Sequence, residues 1–221
     1  VSLWLLDNDL WFPDPEDALP DGLLAVGGDL RPERLLLAYH QGIFPWYSEG
    51  DPFLWWSPDP RFVLFPEKLR VSHSMRPLLN KPAFEFRRDS NFKAVMQACA
   101  STPRGDENGT WIDEEIIEAY TELHDLGYAH SAEAWENGEL VGGLYGVRIG
   151  KMFFGESMFS RRSNASKFAF IRLVQELKQE GIKLIDCQMH TEHLERFGAE
   201  LVTRKQFLEL LHTAISGLPG L

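Results

Sequence analysis

With 221 residues, 44% of them hydrophobic and 25% charged, the chain has the make-up of a globular protein and length for one large core or two unequal ones. A net charge of −11 argues against a surface that grips nucleic acid all over, and no apolar run approaches the length needed to cross a bilayer. Only Cys99 and Cys187 occur, with no CxxC and no paired histidine, which points to a reducing compartment, the cytoplasm, and to no structural metal.

The opening Val1-Ser-Leu-Trp-Leu-Leu-Asp-Asn-Asp-Leu10 lacks a basic stretch and carries acids early, unlike a secretion signal. Residues 1–60 are dense in turn formers: Phe12-Pro-Asp-Pro15, Leu19-Pro-Asp-Gly22, Gly27-Gly28, Phe44-Pro-Trp46 and Trp55-Trp-Ser-Pro-Asp-Pro60. They predict a small irregular N-terminal domain of short elements. One helix stands out, Pro32 to Gln41, with proline in its first turn, Leu35, Leu36 and Tyr39 on one stripe, and Gly42 as its stop.

Residues 61–221 alternate strands and helices. Arg61–Phe65 starts a strand, and Phe84 and Phe86 alternate in another. Ser90 can cap a helix to about Cys99, and Asp113 another, with Ile116, Ile117, Tyr120 and Leu123 as its apolar face. Asn137-Gly138 joins strands 129–136 and 139–149 as a hairpin, and Gly150 turns the chain into Lys151–Met158. A long helix is expected from about Ser163 to Glu180, then strand 182–188, helix 191–197, strand 200–203 and a last helix from Lys205. No repeat or low-complexity tract occurs.

Charge is unevenly spread. Residues 68–93 carry +5, residues 161–172 carry +4 and the remainder −20. Two basic segments on an acidic body can draw phosphates locally, or can simply be solvated helix faces.

The segment Gly155-Glu-Ser-Met-Phe-Ser160 followed by Leu184-Ile-Asp-Cys-Gln188 holds the clearest chemistry. Alternate side chains of a strand share a face, so Asp186 and Gln188 are expected to project together, away from Ile185 and Cys187. A carboxylate and an amide side by side, near Glu156, suit a cation or an amine; polar residues at the end of a strand also mark the solvated start of a loop.

Hairpin, strand, long helix, strand, helix and strand form the layout of the acetyltransferase type (GNAT-type) of α/β (α+β) fold. Acyl-CoA enzymes of that type need a glycine turn before the long helix so that its N–H groups approach a pyrophosphate. Here Ser160-Arg-Arg-Ser-Asn-Ala-Ser166 has no glycine, so a different acyl donor is expected.

Gly27-Gly-Asp-Leu30, Gly42-Ile-Phe-Pro-Trp46, Trp55-Trp-Ser-Pro-Asp-Pro-Arg61, Gly109-Thr-Trp-Ile112, Leu140-Val-Gly-Gly143, Gly155-Glu-Ser-Met-Phe-Ser160 and Lys183-Leu-Ile-Asp-Cys-Gln188 resemble the leucyl/phenylalanyl-tRNA–protein transferases in sequence and order. The resemblance runs from about Phe12 to the last helix. It implies a small N-terminal domain, an acetyltransferase-like catalytic domain, and transfer of Leu, Phe or, less efficiently, Met from aminoacyl-tRNA to the α-amine of proteins with N-terminal Arg or Lys. The product is marked for N-end rule degradation.

The resemblance makes Asp186 and Gln188 the catalytic pair and shifts Glu156 towards holding a donor or acceptor amine. An α-amine has a pKa of about 7.7–8.0, so part of it is neutral at cytoplasmic pH, and the aminoacyl ester is already activated, so no cofactor is expected. Leu144, Phe153, Met158, Phe170 and Ile185 are candidate walls of an aminoacyl pocket, although strand parity puts Phe153 and Met158 on opposite faces unless Gly155 marks a bulge. The resemblance places Trp46 and Trp111 where the 3′-terminal adenosine stacks, with Tyr39 and Tyr120 as supporting candidates. Arg70, His73 and Arg76, on an expected short helix, and Arg161 in the second basic segment are candidate tRNA phosphate contacts. The chain departs from the more basic family members with Pro77 and Asn80. A monomer is expected. The rival readings are an acyl-CoA N-acetyltransferase and a non-catalytic reader of N-terminal Arg or Lys with Glu156 and Asp186 as an acidic clamp.

Overall fold

The structure, a computed structural model, describes residues 3–48, 50–81, 83–102 and 112–217. Among them the first sheet comprises Trp4–Leu6 (β1), Leu23–Gly27 (β2), Phe44–Pro45 (β3) and Leu54–Trp56 (β4), in the order β1-β2-β4-β3. The second comprises Arg61–Leu64 (β5), Glu85–Arg88 (β6), Ala129–Glu136 (β7), Glu139–Ile149 (β8), Met152–Ser160 (β9), Leu184–Gln188 (β10) and Glu200–Val202 (β11), in the order β11-β5-β10-β9-β8-β7-β6. The fold is mixed α/β. β9 and β10 run parallel, and the other neighbouring pairs of this sheet are antiparallel.

Local signals account for most elements. Pro32–His40 (α1) starts on proline and ends before Gly42, whose φ of 74° is open to glycine at little steric cost. Asn137 and Gly138 both take positive φ in the hairpin turn between β7 and β8. Asp113 caps Glu114–Asp125 (α4) by accepting from the Ile116 N–H at 2.9 Å. Arg204–Ile215 (α7) opens on a capping box of Thr203 and Gln206. Ser90 is not the cap of Phe92–Ala100 (α3). Asn91 fills that role, and Ser90 instead binds Glu133, a buried carboxylate that also accepts from Ser131 and Trp135.

The long helix, Ala165–Gln179 (α5), connects β9 to β10 and packs on one face of the second sheet. Its Phe168, Ala169 and Ile171 share a core with Leu144, Phe153 and Ile185. The other face carries α3 and α4, and there Tyr145, Val147 and Phe154 join a core that also contains Leu24, Tyr39, Trp55 and Phe207. The first sheet therefore packs into the same core as one face of the second. The change of sheet falls between Trp56 and Arg61.

The short helix expected to carry Arg70, His73 and Arg76 together begins only at Arg76, as Arg76–Asn80 (α2). Arg70 and His73 precede it, Arg76 is its first residue, and all three are exposed. The last short helix is Glu192–Arg196 (α6).

Candidate active site

β9 is where the site is made. Opposite β8, Gly155 pairs with Gly146 and Ser157 with Tyr145, so Glu156 is an extra residue, a β-bulge. The bulge resets the alternation. Phe153 and Met158, which unbroken parity separates, line one pocket with Leu144, Phe170 and Ile185. Gly146 lets β8 and β9 pack closely beside the bulge: a Cβ there would meet the Phe154 carbonyl oxygen and lie 2.6 Å from the Phe153 ring.

The cavity is about 360 Å³, of the size that takes a small ligand. Leu173, Cys187 and Leu194 add to its apolar wall, and Trp46, Met189 and Thr191 lie on its exposed side. Trp46 is 36% exposed and packs against Trp56 at 5.6 Å, so it keeps a free surface beside the pocket.

A second bulge lies in β10. Asp186 pairs with Val63 and Gln188 with Phe62, which leaves Cys187 extra. Gln188 takes a φ of 62°, in the left-handed region where a side chain is strained. Asp186 and Gln188 therefore do not project together. Gln188 lines the pocket beside Ile185 and Cys187, whereas Asp186 does not. The Asp186 carboxylate is wholly buried and takes two bonds from Arg61, Nε at 2.9 Å and Nη2 at 2.6 Å. It also accepts the Gln188 backbone N–H at 2.9 Å, which holds the strained residue in place.

Arg61 is itself wholly buried, between the rings of Phe44 at 4.7 Å and Phe207 at 4.4 Å, and donates to the Gly42 carbonyl at 3.0 Å. Its role was missed in the sequence. The available signal was an arginine opening the apolar strand Phe62-Val-Leu64.

Glu156 Oε1 accepts from the Tyr39 hydroxyl at 2.7 Å and from Gln188 Nε2 at 3.1 Å, while Oε2 is buried with no hydrogen-bond partner. Burial pushes the Glu156 carboxyl up to about 7, helped by the nearby Asp186 and opposed by the Tyr39 and Gln188 hydrogen bonds and by Arg61. Such a group changes charge near neutral pH. Burial and Asp186 push the Cys187 thiol up, which keeps it protonated. His193 also lines the pocket; burial, then Lys167 and Arg196, pull its imidazole down, so it is neutral at pH 7.

Tyr39 and Tyr120 offer no ring face for an adenine to stack on. Both are wholly buried, and their hydroxyls meet at 2.5 Å beneath Glu156. The helices that carry them pack into the core, so their stripes turn inward. Trp111 lies outside the described residues. Arg161 is exposed at the end of β9, over the Phe159 ring at 5.5 Å. In the first basic segment Lys68, Arg87 and Arg88 pair with Glu200, Glu85 and Glu180. His73, Arg76 and Lys81 line a shallow depression on the surface, apart from the apolar pocket.

The apolar pocket, with a carboxyl and a carboxamide at its polar end, has the size and lining to hold an apolar group with a polar or cationic group beside it. The profile of the leucyl/phenylalanyl-tRNA protein transferase family matches residues 63–212, and that of its N-terminal domain residues 28–59. The chain is 56% identical to the leucyl/phenylalanyl-tRNA–protein transferase of Nitrosospira multiformis, over 96% of this chain and 91% of that one. It is 57% identical to that of Nitrosomonas eutropha, over 93% and 88%. A GCN5-related N-acetyltransferase from Kribbella flavida aligns over 78% of this chain and 61% of its own, at 11% identity and a TM-score of 0.42. The chain belongs to the leucyl/phenylalanyl-tRNA–protein transferase family.

Proposed function

We propose that the pocket receives the Leu, Phe or, less efficiently, Met side chain of an aminoacyl-tRNA, and that Gln188 and Glu156 receive the α-amine of a protein beginning with Arg or Lys. Family membership makes the protein an aminoacyltransferase that moves an aminoacyl group from tRNA to protein. The observation that carries the rest is the pocket itself: five apolar side chains converge on one cavity that ends at the Gln188 amide and the Glu156 carboxyl.

In the reaction the amine nitrogen attacks the ester carbonyl carbon, the new C–N bond forms, and the ribose oxygen leaves. Gln188 is too weak a base to drive this. Its side-chain oxygen accepts a hydrogen bond from the amine and aims the lone pair, which is positioning rather than proton abstraction. The ribose hydroxyl next to the ester is suited to pass the amine proton to the leaving oxygen. Trp46 at the mouth suits the terminal adenine, and Arg70, His73, Arg76 and Arg161 are exposed for phosphates. Trp111 is proposed as a second stacking residue on family resemblance alone.

Asp186 acts indirectly, by neutralising Arg61 and pinning the Gln188 backbone. This leaves Glu156 as the pocket-lining acid that meets the acceptor's Arg or Lys side chain or its amine. Among the described residues no helix is long and apolar enough to cross a membrane, and we infer a cytoplasmic monomer. The test compares peptides that begin with Arg, Lys, citrulline or Ala at fixed labelled leucyl-tRNA. Transfer to Arg and Lys but not to citrulline or Ala supports the reading; equal transfer to all four removes the acidic recognition of residue one.

A further inference from the structure

Three polar side chains run in series from the interior to the pocket wall. Tyr120 on α4 and Tyr39 on α1 are wholly buried, with hydroxyl oxygens 2.5 Å apart. Tyr39 donates its one proton to Glu156 Oε1 at 2.7 Å, so Tyr120 is the donor between the two hydroxyls. Hydrogen bonds that point one way polarise each other, and most strongly where water is excluded. At the far end Glu156 Oε1 also accepts Gln188 Nε2 at 3.1 Å.

That last bond decides which end of the Gln188 amide meets a substrate. An amide can turn either its NH2 or its oxygen to a neighbour. An accepting Glu156 oxygen holds the NH2 inward and leaves the Gln188 oxygen for an incoming N–H. If the carboxylate were free to swing, the amide could flip and present donors to an amine whose lone pair must stay on the ester carbon.

We propose that Tyr39 and Tyr120 are positioning residues for aminoacyl transfer: their hydroxyls, in series, pin the Glu156 carboxylate as an acceptor, and Glu156 holds the Gln188 amide with its oxygen towards the attacking amine. This rests on the role proposed for Gln188. The arrangement also ties residues 1–60 to the reaction, because Tyr39 lies on α1 while Glu156 lies in the second sheet. The titratable and charged groups that face Glu156 are Tyr39 from α1, Tyr120 from α4, Arg61 from β5 and Asp186 from β10. Arg61 and Asp186 pair with each other. Tyr39 and the Gln188 amide are thus the neutral donors that favour the carboxylate form against burial, and Tyr120 strengthens the first of them through its bond to the Tyr39 hydroxyl.

The experiment measures single-turnover and steady-state transfer of labelled leucine from leucyl-tRNA to an Arg peptide by the whole chain and by Tyr39→Phe and Tyr120→Phe. Tyr39→Phe lowers kcat about tenfold or more, the effect of one hydrogen bond to a charged group, and Tyr120→Phe lowers it less. KM for leucyl-tRNA changes by less than about twofold, because substrate touches neither hydroxyl. The acid limb of the kcat profile moves to higher pH in both variants, since each loses donor strength towards the carboxylate. In a Glu156→Gln background, Tyr39→Phe moves no limb and adds little further loss, because the tyrosine acts through the carboxylate. Wild-type kcat and an unmoved acid limb in a folded Tyr39→Phe would overturn the inference while leaving the transferase intact; a wild-type chain that transfers from no aminoacyl-tRNA would remove the function itself. If both phenylalanine variants lose activity only in proportion to lost folded protein, the tyrosines are structural and the proposal fails.

Discussion

Replacing Asp186 with alanine strands the Arg61 guanidinium in the interior. Both side chains have no exposure, and the two bonds between them are 2.9 and 2.6 Å long. Breaking a buried pair from one side costs about 3–5 kcal/mol, because the remaining charge has lost its partner but not its desolvation. Two local features modify that figure in opposite directions. Arg61 keeps the Gly42 carbonyl and the faces of Phe44 and Phe207, which soften the loss by about 1–2 kcal/mol. The Gln188 N–H loses its acceptor in a strained backbone, which adds about 1–3 kcal/mol. The net stays at about 3–5 kcal/mol. At about 2–4 °C of Tm per kcal/mol for a domain of this length, Asp186→Ala melts roughly 6–20 °C below wild type. The double variant Arg61→Met with Asp186→Leu leaves no orphan charge and recovers at least half of the loss. Thermal unfolding at fixed pH, in low and in high salt, measures both; a buried pair is screened little, so the deficit persists in high salt. An Asp186→Ala protein that melts within a degree or two of wild type, or a double variant no better than the single, would refute the account of Asp186 as an anchor.

Gln188→Ala separates chemistry from folding: its Tm matches wild type, its KM for leucyl-tRNA changes little, and its kcat falls about 10²-fold, so a kcat near wild type would remove Gln188 from the site. Glu156→Gln alters stability in a pH-dependent way. Burial lifts the Glu156 pKa from 4.5 to about 7, so the folded chain holds a proton that the unfolded chain releases between those values. Wild-type stability therefore falls as pH rises through that window, and the variant gains on it by about 3 kcal/mol between about pH 4 and about pH 8. A stability difference flat across that range in denaturant titrations would contradict the placement of the carboxyl. Leu144→Ala enlarges the pocket wall, and competition between leucyl- and phenylalanyl-tRNA then shifts towards phenylalanine by about tenfold in kcat/KM; an unchanged ratio would place the side chain elsewhere.

The elements whose causes lie within a few residues were legible in the sequence. The Asn137-Gly138 hairpin, the Asp113 cap, the Gly42 stop of α1 and the order of strands and helices from Arg61 onwards all follow from turn chemistry, capping and periodicity, which depend only on near neighbours. The apolar residues Leu144, Phe153, Met158, Phe170 and Ile185 could be named from the sequence, but their meeting in one cavity could not, because it depends on the extra residue at Glu156 in β9. The same holds for Asp186 and Gln188. An unbroken strand puts them on one face, and the bulge at Cys187 sends one into the core and the other to the pocket. A bulge is set by what the strand pairs with, here β5, whose residues lie more than a hundred positions earlier. Tyr39 and Tyr120, 81 residues apart, read alike as exposed or buried until α1 and α4 pack over the sheet and bring their hydroxyls together under Glu156. Sequence fixes the local conformations and supplies the chemical groups; which groups lose water and which face a substrate is decided by long-range pairing, since burial belongs to a surface built from distant parts of the chain.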